Sequence, residues 1–200
     1  MQYRNDVFTP ATLDEAKHLA LTSDPGDPDK FKRETEYLVD GIVGSGLITE
    51  GSKVLDFGCG MGRVAREIIK RIGCRVVGVD SSSAMMSFAQ QYVADIRFET
   101  KFSYEAQDID LAVAALVLQH VRDPAKEIGM LYGVIKPGGH LLLLNERKRF
   151  VPVAGAPADV PWHDDGVDIV KLVEARFSLV GSYPYPGRDD KPLSLWKKAA

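Results

Sequence analysis

Between residues 53 and 73 an apolar run, a glycine-rich turn and an amphipathic stretch follow one another without a gap. That order constrains the fold more than any other segment. Lys53-Val54-Leu55-Asp56-Phe57 is apolar at most positions, as in a strand covered on both faces. Gly58, Gly60 and Gly62 alternate directly after it; glycine permits positive φ and lets a ligand approach the backbone without meeting a Cβ. Val64, Ala65, Ile68, Ile69 and Ile72 then share one helical face, and Gly73 ends it. A tight turn from strand to helix leaves free N–H groups at the helix start, where the dipole favours a carboxylate or phosphate.

The same alternation continues down the chain. Arg75-Val76-Val77-Gly78-Val79 predicts a second buried strand, closed by Asp80. Ser81-Ser82-Ser83 can cap the next helix, which carries Met85, Met86, Ala89 and Tyr92. Ile96-Arg97-Phe98-Glu99-Thr100 predicts a third strand, and Ile109-Asp110-Leu111-Ala112-Val113-Ala114-Ala115 a fourth. Asp123 caps a helix with Pro124 in its first turn, burying Ile128, Leu131, Tyr132 and Ile135. Lys136-Pro137-Gly138-Gly139 stops it and turns the chain into Leu141-Leu142-Leu143-Leu144. A loop over about 146–165, a helix over 167–176 and strands near 179–183 and 193–197 complete the reading. Ahead of all this, residues 1–50 form a polar, partly helical lead-in with a break at Ser23-Asp24-Pro25-Gly26-Asp27-Pro28. Buried strands alternating with amphipathic helices imply a mainly parallel sheet covered on both faces, which binds ligands outside its strand C-termini.

With 200 residues, 45% hydrophobic and 26% charged, the chain has the composition of one globular domain. A net charge of -3 gives no general pull toward nucleic acid or an anionic membrane. No apolar run approaches the roughly 20 residues of a membrane helix. No signal peptide is evident, so the cytoplasm is the expected location. Cys59 and Cys74 form no CxxC pair and have no nearby His at metal-ligand spacing; free thiols and no metal are expected.

Two acids frame the glycine run. Asp80 can accept hydrogen bonds from both hydroxyls of a ribose. Asp56 can meet the ammonium group of an amino-acid-bearing nucleoside, which S-adenosylmethionine (SAM) has and NAD lacks. The nicotinamide fingerprint also needs Gly or Ala at position 63, which is Arg.

Asp56-Phe57-Gly58-Cys59-Gly60-Met61-Gly62 and Asp80 are similar to the first two motifs of class I SAM-dependent methyltransferases. Leu118-Gln119-His120-Val121, Asp123-Pro124 and Val134-Ile135-Lys136-Pro137-Gly138-Gly139-His140-Leu141 resemble later blocks of their small-molecule group. The resemblance spans about residues 30–145. It implies an α/β Rossmann-like fold with a seven-stranded sheet of order 3-2-1-4-5-7-6, the last strand antiparallel. It also implies that Asp56, Gly58, Cys59, Gly60, Gly62, Asp80, Ser81, Met85, Phe102, Ala115 and Leu116 hold SAM, and the product S-adenosylhomocysteine. One departure is Thr100-Lys101-Phe102-Ser103, where many relatives place an acid that contacts adenine; Lys101, Phe102 or Ser103 would serve instead.

On this reading the chain is a single domain, 1–200, with a helical lead-in or lid over 1–50, a cofactor-binding half over 51–145, and an acceptor-side loop and hairpin over 146–200. Tyr3, Phe8, Phe31 and Tyr37 either line the lid or pack. His120, Asn145, Glu146 and His163 are the catalytic or acceptor-orienting candidates. For His120 packing or capping is the favoured alternative. Trp162 either stacks on an acceptor or anchors the loop, with Asp164 or Asp165 capping the helix that follows. Glu146-Arg147-Lys148-Arg149 reads as a solvated charged loop. The leading expectation is methyl transfer to a small molecule. RNA or protein methylation would call for a basic face of Arg147, Lys148, Arg149, Lys197 and Lys198. A SAM-binding partner subunit without its own transfer activity is a further alternative. Acceptor identity and oligomeric state are left open.

Overall fold

The computed structural model describes residues 2–4, 6–21, 29–95, 97–101, 103–154, 162–185 and 188–200. In chain order its elements are β1 (Gln2–Tyr3), a 3-10 turn (Asp6–Phe8), α1 (Leu13–Leu21), α2 (Lys30–Gly44), β2 (Lys53–Phe57), α3 (Arg63–Ile72), β3 (Arg75–Val79), α4 (Ser83–Val93), β4 (Phe98–Lys101), β5 (Ile109–Ala115), α5 (Pro124–Val134), β6 (Ile135–Leu144), β7 (Val151–Ala154), β8 (Trp162–His163), α6 (Ile169–Glu174), β9 (Ser178–Tyr185) and β10 (Arg188–Lys197). Seven strands form a sheet of order β4-β3-β2-β5-β6-β10-β9. Counted within that sheet the order is 3-2-1-4-5-7-6, as the resemblance implies. The last strand, β10, is antiparallel to both its neighbours. The chain divides into two compact units, Phe8–Tyr104 and Met1–Val7 with Glu105–Ala200.

In the Phe8–Tyr104 unit, β2, β3 and β4 run parallel, with Lys53 opposite Arg75 and Val76 opposite Phe98. Val54 to Phe57 and Val76 to Val79 are all buried, which is why the two strands read as unbroken apolar runs. Helix α3 buries Val64, Ala65, Ile68 and Ile69 and ends at Gly73, whose φ of 82° suits the left-handed cap. Ser82 caps α4 by accepting from the Met85 N–H at 3.2 Å.

In the second unit, β5 and β6 pair in parallel, and the Asp123 carboxylate caps α5 by accepting from the Lys126 N–H at 3.0 Å. The expected stop at 136–139 takes a different form. Strand β6 already begins at Ile135, and its register with β5 shifts between Ile109 and Leu111. Gly138, at φ 74°, makes the bend. Gly139 passes so close to the β5 backbone that an added Cβ would lie 3.0 Å from the carbonyl oxygens of Ile109 and Asp110.

Three expectations are corrected here. The region expected to be a loop contains β7 and β8, which form a small antiparallel sheet with β1 in the order β1-β7-β8. Gln2 lies opposite Ala154 and Val151 opposite His163. Part of the lead-in is therefore a strand, and Tyr3 is paired with Val153. The cap of the C-terminal helix is Asp168, which accepts from the Lys171 N–H at 3.2 Å, and not Asp164 or Asp165. Among the described residues no helix is long and apolar enough to cross a membrane.

Candidate cofactor and acceptor residues

The turn after β2 is tied to β3 by its own backbone. The N–H groups of Gly58 and Cys59 both donate to the Val79 carbonyl, at 2.7 and 3.1 Å. Gly58, Gly60 and Gly62 have φ of 71°, 52° and 80°, the left-handed region that favours glycine. Two of them serve different ends. A Cβ on Gly62 would lie 2.7 Å from Val93 Cγ2, so this glycine lets α4 pack close. A Cβ on Gly60 would meet no heavy atom within 4 Å, so the backbone here faces open space.

Asp80 clamps this turn. Its Oδ2 accepts the Gly60 N–H and its Oδ1 the Ser82 N–H, both at 2.9 Å. Burial pushes the Asp80 carboxyl above its ordinary value, and the N–H groups of Ser82, Gly60 and Ser81 oppose that. A carboxylate offers about four lone-pair sites, so these bonds leave acceptor capacity for ribose hydroxyls.

Asp56 is buried and accepts the Ala65 N–H, while its Oδ2 has no partner. Burial raises its carboxyl to about 7; the nearby Arg63 charge and the Ala65 N–H pull the other way. An open glycine backbone beside an orphaned acid oxygen and a second, clamped acid suits a nucleoside that carries a cation. The residues present therefore fit SAM.

Cys59 is buried, its thiol pushed well up by burial, and its Sγ would lie 2.8 Å from a Cβ on Gly78. It fills space and is not a nucleophile. Met85 is buried with Ala16 and Met61, against Leu19, Ala20, Phe31, Phe88 and Tyr92. Phe31 of the expected lid thus packs over α4. Ser81 is exposed. Lys101 pairs with Glu99 at 3.2 Å, and its Nζ lies 5.3 Å from the Tyr104 ring centre. Phe102 lies outside the described residues.

In the other unit Ala115 ends β5, and Leu116 follows with φ 58°, a conformation that costs a non-glycine residue about 1 kcal/mol. Its N–H donates to the Leu144 carbonyl at 2.7 Å. His120 is half-buried within a network. Glu146 N–H donates to Gln119 Oε1 at 3.0 Å, which turns Gln119 Nε2 toward His120 Nε2 at 3.3 Å. His120 Nδ1 lies 2.8 Å from the Phe150 carbonyl oxygen. That oxygen only accepts, so Nδ1 carries the proton and Nε2 accepts from Gln119. The imidazole packs against Trp162, ring centres 5.5 Å apart. His163 is half-exposed on β8, and Glu146 is half-exposed. Asn145 is buried; its Nδ2 donates to the Glu146 carbonyl at 2.7 Å and its Oδ1 has no partner.

The expectation of a solvated charged run holds for Arg147 and Lys148, which are exposed, and fails for Arg149. Arg149 is 2% exposed; Nε and Nη2 donate to the two carboxylate oxygens of Asp165 at 2.9 Å each, and Nη1 to the Leu118 carbonyl at 3.0 Å. Lys198 Nζ donates to the carbonyls of Tyr132 and Ile135, both at 2.6 Å. Two members of the supposed basic face are thereby engaged elsewhere. Gln119, Arg149, Asp165 and Arg63 are the residues sequence reasoning did not place in the site. Gln119 falls in a block that resembles the family, but nothing in the sequence assigns it or the other three a role.

A family profile described as a methyltransferase domain matches residues 29–168, and the chain belongs to that family. It is 35% identical over 101 residues to a ubiquinone biosynthesis O-methyltransferase of Acinetobacter baylyi, a match covering 46% of this chain and 42% of that one. It is 31% identical over 158 residues to a trans-aconitate 2-methyltransferase of Variovorax paradoxus, covering 74% and 61%. The matched stretch is thus less than two thirds of either relative. The crystal structure of a TehB-like SAM-dependent methyltransferase from Corynebacterium glutamicum superposes with a TM-score of 0.60 at 20% identity, over 82% of this chain and 87% of that one, which establishes a shared fold.

Proposed function

We propose that this chain transfers the methyl group of SAM to a small-molecule acceptor. The observation that carries the reading is the turn at Gly60, open on the side a Cβ would fill and held by Asp80, with the unpartnered Asp56 Oδ2 nearby. When bound, SAM supplies a methyl group on a sulfonium, and the electron pair of the breaking S–C bond stays on sulfur.

The roles of the residues follow from their chemistry. Asp56 Oδ2 would hold the ammonium, the first N–H groups of α3 the carboxylate, and Asp80 the ribose hydroxyls. Gly58 and Gly62 shape the turn and Cys59 fills its back; Ser81 and Met85 would flank the rest of the nucleoside. His120 orients rather than deprotonates, because both its ring nitrogens are already engaged. Asn145, Glu146 and His163 are the candidates for contact with the acceptor. The interrupted basic face favours a small acceptor over RNA.

The test is methyl-labelled SAM incubated with the protein and a metabolite extract. Label in a low-molecular-weight product supports the reading. Protein that binds S-adenosylhomocysteine yet transfers no label would be the non-catalytic alternative, and label on RNA or protein would replace the acceptor class.

A further inference from the structure

Asn145 directly follows the last residue of β6 and is 3% exposed. Sheets of this kind take ligands outside their strand C-termini, and Asn145 lies at that edge. Its Nδ2 donates to the Glu146 carbonyl at 2.7 Å. A carbonyl oxygen only accepts, so this bond fixes which end of the amide is the donor and which is Oδ1. Oδ1 is buried and has no partner among the described residues. A buried acceptor left unpaired costs stability that a ligand's donor would regain.

The frame around Asn145 is built from the segments after β5 and β6, within one unit. The Glu146 N–H donates to Gln119 Oε1, the Phe150 N–H to the Gln119 carbonyl and Arg149 Nη1 to the Leu118 carbonyl, each at 3.0 Å. His120, next to Gln119, packs its ring on that of Trp162, and both rings are half-buried. Glu146 is half-exposed, so this edge is reached from solvent. Arg149 is buried here, and its charge is already matched by Asp165.

Resting on the methyl-transfer reading above, we propose that Asn145 selects the acceptor: Oδ1 accepts a hydrogen bond from a hydroxyl on a neutral, planar small molecule whose ring packs by Trp162 and His120. A hydroxyl supplies the donor that Oδ1 lacks, and a flat ring suits the aromatic pair. A carboxylate acceptor would bring only lone pairs to an atom that itself only accepts, and would find the Arg149 charge taken.

The experiment adds phenol, anisole or benzoate to protein saturated with S-adenosylhomocysteine and follows tryptophan fluorescence. Phenol and anisole differ by the donor, and benzoate differs by its charge. The chain has two tryptophans; Trp196 is 1% exposed, with its indole N–H on Ser194 Oγ, so the response reports Trp162. Phenol should bind at least about fivefold tighter than anisole or benzoate. Asn145→Ala that melts cooperatively should bind phenol and anisole alike, and Trp162→Phe should lose the response. Equal binding of phenol and anisole by wild type, tightest binding of benzoate, or no response to any of the three would overturn the inference, whether or not Asn145→Ala folds. An Asn145→Ala protein that still prefers phenol, or a response that survives Trp162→Phe, would overturn it too. Wild-type protein that binds no S-adenosylhomocysteine would instead remove the SAM reading itself.

Discussion

Asp80 Oδ2 accepts the backbone N–H of Gly60 at 2.9 Å, so the acid that closes β3 also fixes the turn that follows β2. Asp80 thus has two duties, to hold the turn and to offer its remaining lone pairs to a ligand. Asp80→Ala removes both. Losing charge-assisted hydrogen bonds worth about 1.5–3 kcal/mol should weaken S-adenosylhomocysteine binding about 10- to 100-fold. Asp80→Asn keeps one acceptor and should lose less. Calorimetry checks the order; equal affinities for wild type and Asp80→Ala would refute the ribose assignment.

Gly62→Ala forces a Cβ to within 2.7 Å of Val93 Cγ2 at φ 80°. Strain and overpacking together should cost about 1–3 kcal/mol. Gly60→Ala meets no neighbour and has only its φ of 52° to accommodate. Thermal melts should therefore show the larger loss for Gly62→Ala, while titration should show the larger loss of ligand affinity for Gly60→Ala. The reverse pattern would contradict the separate duties of the two glycines.

Arg149 and Asp165 predict an unequal response to single and double substitution. Asp165→Asn leaves a buried guanidinium without its counter-charge; because Asp165 itself is open to solvent, the loss should be about 1–2 kcal/mol. Arg149→Met with Asp165→Leu removes both charges and should cost less than Asp165→Asn alone. The Arg149 guanidinium holds the Asp165 carboxyl below its usual range. A depressed carboxyl contributes stability above its unfolded value, and that stability is lost as pH falls through the folded one. Acid unfolding should accordingly lose part of its steepness in Asp165→Asn, which denaturant melts at pH 3 to 7 can measure.

Asp56 has the opposite sign. Its folded value, about 7, lies above the unfolded one, so its contribution is complete at low pH and is lost as pH rises through about 7. Asp56→Asn mimics the neutral acid. Relative to wild type, the ligand-free variant should melt higher at pH 8 than at pH 5 by several degrees, though it binds ligand poorly. An identical pH dependence of the two melting temperatures would show that Asp56 is ionised without penalty.

The seven-stranded sheet was legible because its inner strands are covered on both faces. Val54-Leu55-Asp56-Phe57 and Leu141-Leu142-Leu143-Leu144 read as apolar runs that little else can produce. Asp123-Pro124 marked a helix start for a local reason that survives any tertiary context. The sheet of β1, β7 and β8 was not legible. Gln2–Tyr3 and Trp162–His163 are too short to show alternation, and Gln2–Tyr3 pairs with a distant part of the chain, at Val153 and Ala154. Within the site, the motif exposed Asp56, the glycines and Asp80, since a turn of this kind needs those residue types in that order. Arg149 looks the same in sequence as Arg147 and Lys148; only the fold buries it and supplies Asp165. Arg63 enters the sequence argument only as the residue that breaks a nicotinamide fingerprint, and its burial against Thr35 depends on where α2 packs.

The most direct test of the account is a calorimetric titration of S-adenosylhomocysteine into the purified protein at pH 7.5. The account predicts one site per chain with an affinity in the micromolar range, lost on Asp80→Ala. No heat of binding at near-millimolar ligand would contradict it.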